Sequence, residues 1–346
     1  MEVFTGVLNY VVFFAITAGI FAVLCLGLNI QWGYTGFFNI GIAGFYAIGA
    51  YTSALISGPP PGPMDWRVVG GFQLPWPVGL VGAALVSGLI AFLVGLPTLR
   101  LKEDYLAIAT VGIAEVIRLV IKNESWLTNS VWGIKHIPAP LASPIERGIK
   151  FLLKANPHLP PWLQNLLSNG YNWFYLGLVI FILGALYWIS ERIIRSPWGR
   201  VLRAIREDEV AASTSGKNVF WFKMQSLVFG AMIMGMAGSL YAHYTRFIDA
   251  SSFKPFFGTF LIWVMLIVGG SGNNLGAILG AFLIWGVWAG TEFLTSSWGL
   301  IGYRVASLRI ISVGIILELI LILRPRGILG EEKVVSSILK SKTNKK

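Results

Sequence analysis

The sequence predicts an all-α integral membrane protein, a bundle of helices that cross the bilayer several times. Hydrophobic residues make up 55% of the 346 residues and charged residues only 12%, against roughly 25% charged residues in soluble domains. Several apolar runs reach the length of about 20 residues that a helix needs to cross the hydrocarbon layer. These runs do not alternate apolar with polar residues, as the strands of a membrane barrel would.

Apolar patterning predicts nine membrane helices within a single transmembrane domain that covers residues 1–346. The count ranges from eight to ten, because GGSGNN interrupts the run 258–297 and polar residues interrupt 27–36. Each interruption is either a tight turn between two helices or a break inside one. The predicted helices are 8–30, 36–57, 77–97, 105–121, 173–190, 224–245, 258–272, 276–297 and 306–323.

Lys and Arg residues predict the orientation. Loops 98–104 and 191–223 and the basic tail 324–346 hold 16 of them, whereas the loops on the opposite side hold 9. Cytoplasmic loops are enriched in Lys and Arg, so we expect the N-terminus outside and the C-terminus in the cytoplasm. The net charge of +11 is then a consequence of topology, and we expect no nucleic-acid partner.

The longest external loop in this topology runs from 122 to 172. It contains two short amphipathic patterns next to prolines, SPIERGIKFLLK and PWLQNLLS. Such patterns are typical of helices that lie flat on a membrane surface. A poorly ordered insertion is the alternative.

Residue types required for enzyme chemistry are sparse. The single cysteine excludes a disulfide framework and a cysteine-based metal cluster, and no HExxH or CxxC motif is present. Cys25 lies in the first apolar run, and the three histidines, His136, His158 and His243, lack the spacing of a metal pair. An intramembrane enzyme is therefore disfavoured.

One stretch approaches a nucleotide-binding P-loop, at Ser215-Gly216-Lys217-Asn218. Ala211 occupies the place of the first glycine of that motif, and Asn218 replaces the Ser or Thr that would hold magnesium. We therefore expect this chain to bind no ATP, magnesium or other cofactor itself.

Charged residues within apolar runs are costly and indicate either pairing or function. Glu115 and Arg118 stand three positions apart on one predicted helix, where they face the same side and are able to pair. Pairing favours a structural role, and a role for Glu115 in a substrate pathway is the alternative. Arg309 and Glu318 are nine positions apart and are expected to face other helices or the membrane interface.

Glycine is concentrated in residues 33–49 and 269–290. Two GxxxG pairs, Gly276 with Gly280 and Gly286 with Gly290, predict close approach of helix backbones. The functional alternative is a pathway flanked by two glycine-interrupted helices in corresponding halves, as in transporters built from repeats. Asn39, Gly41 and Tyr46 are the candidate polar and close-approach positions on such a pathway.

The polar loop 191–223 holds seven Lys or Arg residues and four acids, with the pattern of a short helix from Trp198 to Ser215. Pro197 marks the predicted start and Gly216 the stop. Val201, Leu202, Ile205 and Ala212 form an apolar stripe along this helix. Such a stripe favours docking into a groove on a partner, and a helix lying on the membrane surface is the alternative.

The spacing Glu209-Val-Ala211-Ala212, three residues, then Gly216 resembles the EAA signature of ABC importer permeases, a cytoplasmic coupling helix that sits in a cleft of the ATP-binding subunit. Further blocks look like the permease subunits of branched-chain amino-acid ABC importers, in the expected order and over most of the chain. They are LNIQWGYTGFFNIGIAGFYAIGAYTSAL, LRLKEDYLAIATVGIAEVIRL, SPWGRVLRAIREDEVAA, GSLYAHYTRFIDASSF and LRIISVGIILELILILRPRGILG.

The resemblance implies a multi-pass permease subunit in the bacterial cytoplasmic (inner) membrane that translocates branched-chain or other neutral amino acids. Its implied partners are two ATP-binding cassette subunits that hold ATP and magnesium, a second homologous permease and an external substrate-binding protein. Loop 191–223 would be the cytoplasmic coupling loop. The implied contacts with the ATP-binding subunit are Arg200, Arg203, Glu207, Asp208, Glu209, Ala211, Ala212 and Gly216.

One external turn departs from the family pattern. After Leu127-Thr128 the family often has a Gly-Gly-Pro-type turn, whereas this chain has residues 129–133, NSVWG. Because this side would meet the binding protein, a urea or amide importer is an alternative. A secondary amino-acid carrier or a channel, with loop 191–223 as a plain connection, is the alternative from another class.

Overall fold

A computed structural model of the protein describes residues 2–62, 65–156, 160–297 and 302–331. Among the described residues, a helix lies within or overlaps each of the apolar segments identified in the sequence. These helices are α1 (Glu2–Leu28), α2 (Ile42–Ser57), α3 (Trp76–Thr98), α4 (Glu103–Asn123), α8 (Gly170–Arg195), α11 (Val219–Thr245), α12 (Leu261–Gly269), α13 (Asn274–Ser297) and α14 (Gly302–Leu323). Shorter helices lie between them: α5 (Ser125–Thr128), α6 (Ala142–Ala155), α7 (Pro161–Ser168), α9 (Pro197–Glu207) and α10 (Glu209–Thr214).

Within the described residues, five helical segments are long and apolar enough to cross a membrane. They are Gly6–Tyr34, Trp76–Thr98, Gly170–Arg195, Val219–Thr245 and Asn274–Thr291. The apolar helices Ile42–Ser57 and Phe256–Gly269 are shorter. The chain is thus a multi-pass helical membrane protein.

Both interruptions predicted from the sequence are irregular in the structure. The first long helix continues from α1 into a π-helical stretch, Asn29–Tyr34, and residues 37–41 are not helical before α2 begins. The second interruption, GGSGNN, is a tight turn between α12 and α13. A π-helical stretch that the sequence did not indicate, Phe256–Phe260, leads into α12. The predicted helix 36–57 therefore begins six residues later than expected, at Ile42.

The helices form two units of similar order, α1–α4 and α11–α14, each with a long helix, a shorter one and two further long ones. The units cross: α11 packs against α2 and α3 of the first unit, while α1 packs against α12 and α13 of the second. The long helices α1 and α11 also pack against each other. The glycine-rich stretch 33–49 spans the break between α1 and α2, whereas 269–290 spans the turn between α12 and α13, so the two stretches do not occupy corresponding places in the two units.

Glycines allow the backbones at this crossing to touch. A Cβ atom at Gly49 would overlap the backbone of Gly235, and a Cβ at Gly238 would overlap the Tyr46 carbonyl oxygen. The first GxxxG pair acts in the same way between α12 and α13, because a Cβ at Gly280 would overlap the Met265 carbonyl oxygen.

The second GxxxG pair does not bring backbones together among the described residues. The nearest atoms to a Cβ at Gly286 are those of the Phe14 ring, at 3.7 Å, and a Cβ at Gly290 meets no described atom within 4 Å. The prediction of close packing therefore holds for Gly276 and Gly280 only.

The loop 122–172 contains ordered structure. Both predicted amphipathic segments are helical, as α6 and α7, and α6 packs against α7 and α8. The turn at 129–133 is compact, with Asn129 in the left-handed region (φ 63°) and its side-chain amide donating to the Gly133 carbonyl oxygen at 2.9 Å. It leads into a two-residue strand, Ile134–Lys135, that pairs antiparallel with Phe247–Ile248 after α11.

Candidate functional site

The polar segment (residues 197–216) consists of two helices and not of the single helix expected from Trp198 to Ser215. Helix α9 ends at Glu207, and Asp208 adopts an extended conformation (φ −156°, ψ 108°). The Asp208 carboxylate then accepts hydrogen bonds from the Val210 and Ala211 amides at 2.9 and 3.0 Å. Asp caps a new helix more favourably than it continues an existing one, which explains the break.

Gly216 ends α10 as predicted. Its φ of 76° lies in the left-handed region, and the Lys217 amide reaches back to the Ala212 carbonyl oxygen at 3.2 Å. This is the usual conformation of a glycine that terminates a helix, because only glycine adopts it without a steric penalty.

The apolar stripe of the polar segment packs against the chain's own membrane helices. Leu202 and Ile205 are 0% and 3% exposed, and Ala212 is 5% exposed. Leu202 lies in a small core with Tyr34, which ends the first long helix, and Ile194, near the end of α8. The sequence correctly indicated that the stripe is covered, but the covering surface is this chain and not a partner.

Two arginines fix the segment to the end of the first long helix. The Arg203 guanidinium lies over the Tyr34 ring, 5.5 Å from its centre. Arg206 donates to the Gly33 carbonyl oxygen and to the Glu331 carboxylate, the latter at 2.7 Å. Burial alone would lower the pKa of Arg206, but the hydrogen bonds and charges of Glu331 and Glu207 outweigh it and raise that pKa.

Sequence analysis missed Arg206. It lies one position from the predicted contact residue Glu207, and a basic residue in a basic loop gives no signal that its side chain faces inward. A Cβ at Gly36 would come within 2.9 Å of the Arg206 side chain, so the glycine leaves room for it. The feature of the sequence that could have indicated this contact is Gly36, within the glycine-rich stretch 33–49.

The opposite side of the polar segment is open. Val210, which directly follows three acidic residues, is 72% exposed. Glu209 pairs with Lys223 at the start of α11, at 2.5 Å. Of the eight predicted contact residues, six are exposed, Arg203 is half-buried and Ala212 is buried; the exposed ones are Arg200, Glu207, Asp208, Glu209, Ala211 and Gly216.

Asn39 and Gly41, two of the predicted pathway residues, lie together in the break before α2. The fully buried Asn39 side chain donates to Gln31 at 2.7 Å and accepts from the Gly41 amide at 2.7 Å. Gln31 in turn donates to the Leu227 carbonyl oxygen of α11 at 2.9 Å. The small cavity beside them has a volume of about 10 Å³.

Tyr46 and Glu115 lie elsewhere. Tyr46 is buried against Phe253 and Tyr241. Glu115 lines a separate notch of about 30 Å³ beside Phe253 and Pro255, and it forms the predicted ion pair with Arg118, whose Nε donates at 2.9 Å. The four pathway candidates therefore do not form one site within this chain.

Two buried polar clusters were not identified from the sequence. In one, Asn29 binds both the Gly272 amide and Asn274, and Asn274 donates to Glu191 of α8, all at 2.9 Å. This cluster joins the first long helix to the GGSGNN turn. The two asparagines of that turn are the feature of the sequence that could have indicated it.

The second cluster lies between α2 and α11. His243 contacts Ser53 at 2.8 Å through Nε2 and the Pro138 carbonyl oxygen at 2.6 Å through Nδ1. Ser53 also contacts Ser239 at 2.8 Å. His243 and both serines are fully buried, so they connect the long loop to the bundle. Among the described residues, no group of three or more His, Cys, Asp and Glu side chains is placed to hold a metal ion.

A bundle of crossed, glycine-packed helices with a firmly anchored polar segment defines a multi-pass helical membrane protein. Residues 10–322 match the family described as branched-chain amino acid transport system / permease component, and the chain belongs to that family. It is accordingly a permease component and not an enzyme.

Curated relatives agree with this assignment. The chain is similar to the high-affinity branched-chain amino acid transport system permease protein LivM of Salmonella typhimurium and of Escherichia coli, each 32% identical over 272 residues. These matches cover 77% of this chain and only 60% of each relative. A probable branched-chain amino acid transport permease protein LivM of Methanocaldococcus jannaschii is 26% identical, with 94% of both chains covered. No solved structure matches the chain significantly.

Proposed function

We propose that the chain is one of two membrane subunits of an ATP-driven importer that carries branched-chain or other neutral amino acids across the cytoplasmic membrane. Membership of the permease family and the similarity to LivM proteins support this assignment. All of residues 1–346 would form one permease domain with nine membrane helices, the N-terminus outside and the C-terminus in the cytoplasm. An external binding protein would deliver the amino acid.

The observation that carries the proposal is the two-sided construction of the polar segment. Its inner side is anchored by Leu202, Ile205 and Arg206, while its outer side exposes Val210 among charged residues. Because the inner side is held rigidly, binding of the outer side to a partner cleft would cost little ordering entropy. We assign the outer side to an ATP-binding subunit that supplies ATP and magnesium.

Anchoring also provides the means of coupling. When the ATP-binding subunits close, they would displace the polar segment, and Arg206 would pass that displacement to Gly33 at the break after α1. The buried link from Asn29 to the GGSGNN turn extends the connection to α13. The chain would thus transmit movement. ATP hydrolysis, which supplies the energy, would take place on the ATP-binding subunits.

Reconstitution tests this proposal. The chain is co-purified with its second permease and ATP-binding subunits, and uptake of a radiolabelled branched-chain amino acid into liposomes is measured with ATP and the binding protein. Uptake is expected only when all subunits and ATP are present. Uptake by this chain alone, without ATP-binding subunits, would establish the secondary carrier instead.

Substrate choice requires a separate measurement, since the urea or amide alternative concerns cargo and not coupling. Cells that lack this gene and cells that regain it are compared for uptake of one labelled branched-chain amino acid, with a panel of unlabelled amino acids and urea as competitors. Competition by branched-chain and other neutral amino acids is expected. Competition by urea alone would assign the chain to a urea or amide importer.

A further inference from the structure

Helix α4 has one face packed against the bundle and one that is open. Its packed face bears Leu106, Ala107, Thr110 and Ile121 and lies mainly against α2. The open face includes Ile108, Val111 and Gly112, and a Cβ at Gly112 would meet no described atom within 4 Å. Within this chain, therefore, α4 is covered on one side only.

The open side of α4 also bears an ion pair far from both helix ends. At about 1.5 Å per residue, Glu115 lies about 18 Å from the first residue of α4 and about 12 Å from the last. The side chains of Glu115 and Arg118 remain 38% and 22% exposed. In the nine-helix topology of the proposed function this position lies deep in the membrane, where charged groups are costly and almost always face protein or a water-filled cavity.

Other open faces of the bundle suit lipid better. Helix α8 exposes Ile180, Phe181 and Trp188 at mid-length, and α3 exposes a row of leucine and valine side chains. On α14, Arg309 lies over the Trp288 ring at 5.5 Å. Glu318 lies about 7.5 Å from the end of that helix, nearer to a helix end than Glu115 is on α4. A deep ion pair on an open face is the feature that sets α4 apart from these helices.

We infer that the open face of α4, centred on Gly112 and Glu115, is the surface that meets the second permease subunit. This inference rests on the proposed function, which supplies the second permease. The partner would cover the ion pair, and Gly112 allows its helix to approach closely. Val111 and Glu115 of this face also line the notch beside Phe253, which would then lie at the interface between the two subunits.

Photo-crosslinking within the purified complex tests this assignment. A benzophenone amino acid replaces Ile108 or Gly112 on α4, Phe181 on α8 or Ile311 on α14, and the second permease bears a distinct epitope tag. Crosslinks to the tagged subunit are expected from 108 and 112 and not from 181 or 311. Crosslinks from 181 or 311 in an intact complex, with none from α4, would overturn the inference and leave the proposed function standing.

A matched pair of glycine substitutions gives an independent measurement. Gly112 and Gly184 both lie near the middle of long helices, and a Cβ at either meets no described atom within 4 Å. Gly112→Leu is expected to reduce recovery of the second permease severalfold, whereas Gly184→Leu on α8 leaves recovery unchanged. Equal recovery from both variants contradicts the inference. Failure of the unmodified chain to retain any second permease would overturn both the proposed function and this inference.

Discussion

The side chain of Arg206 connects parts of this protein that are far apart in the sequence. It binds the Gly33 carbonyl oxygen at the end of the first long helix and the Glu331 carboxylate that follows α14, so it joins three distant segments. A contact to a buried carbonyl oxygen positions a side chain inward and removes it from any partner surface. Arg206 is therefore expected to act in transmission and not in docking.

This distinction predicts different outcomes for two neighbouring arginines. Arg206→Ala is expected to lower the free energy of unfolding by about 1–3 kcal/mol, because charged hydrogen bonds are lost, and to reduce uptake while ATP-binding subunits still co-purify. Arg200→Ala, at an exposed position, is expected to weaken co-purification without lowering stability. Pull-down yields and thermal unfolding in detergent separate the two. Loss of ATP-binding subunits from the Arg206→Ala variant would contradict the transmission role.

Glu209 has a partner within the chain, which changes how its substitution is interpreted. Glu209→Lys places a second positive charge beside Lys223 and breaks their 2.5 Å ion pair, and we expect reduced association with the ATP-binding subunit. The double variant Glu209→Lys, Lys223→Glu restores the pair with reversed sign. If Glu209 contacts the partner, co-purification stays low in the double variant. Recovery of normal yield would show that only the internal ion pair matters.

Gly216 terminates α10 in a conformation that L-residues rarely adopt (φ 76°). Gly216→Val is expected to distort this helix end and lower uptake, while membrane insertion is retained. Gly216→Asn is the matched control, because asparagine tolerates the left-handed region. Uptake assays on both variants at equal expression provide the measurement. Normal uptake by Gly216→Val would argue against a role of this helix end in coupling.

At the scale of the element, α12 and α13 pack through one GxxxG pair and not through the other. Gly280→Leu is expected to lower the free energy of unfolding by several kcal/mol, since the backbone of α12 occupies the space of the new side chain. Gly290→Leu, which meets open space among the described residues, is expected to be nearly neutral. Thermal unfolding of the purified variants in detergent compares them. Equal loss of stability would contradict the difference between the two GxxxG pairs.

The position of the polar segment was predicted correctly, but the prediction of a single continuous helix was wrong. Pro197, Gly216 and the apolar stripe located it, because start signals, stop signals and periodicity are local. The break at Asp208 was missed because the run Glu207-Asp208-Glu209 is compatible both with a continuous helix and with the start of a new one. Its capping role depends on backbone geometry that spacing alone does not specify.

At the scale of the whole molecule, the crossed units explain why the short helices α2 and α12 are the most protected. Helix α2 is covered mainly by α11 of the other unit, whereas α12 is covered by α13 of its own unit and by α1 of the other. Both follow an irregular stretch, and irregular backbone at membrane depth is tolerated only where protein or water surrounds it. Buried residues of the two stretches, among them Asn29, Gln31, Gly258 and Thr259, accordingly face other parts of the chain.

Orientation of the whole chain is open to direct measurement. The single cysteine, Cys25, is buried and is replaced by alanine. Ser143→Cys on α6 is then expected to react with a membrane-impermeant maleimide in intact cells. Ser213→Cys on α10 is expected to react only after lysis; both serines are exposed on the chain. The reverse labelling pattern would contradict the N-out, C-in orientation.

Hydrophobicity, run length and local stop signals predict the class of the protein, the approximate positions of its helices and the existence of a distinct polar segment. These features do not depend on distant residues. Long-range packing, by contrast, sets which side of that segment is buried, that Arg206 faces Gly33, and that Asn39 and Glu115 lie in separate places. Those outcomes depend on which helices cross, and crossing is set by backbone contacts between glycines far apart in the chain.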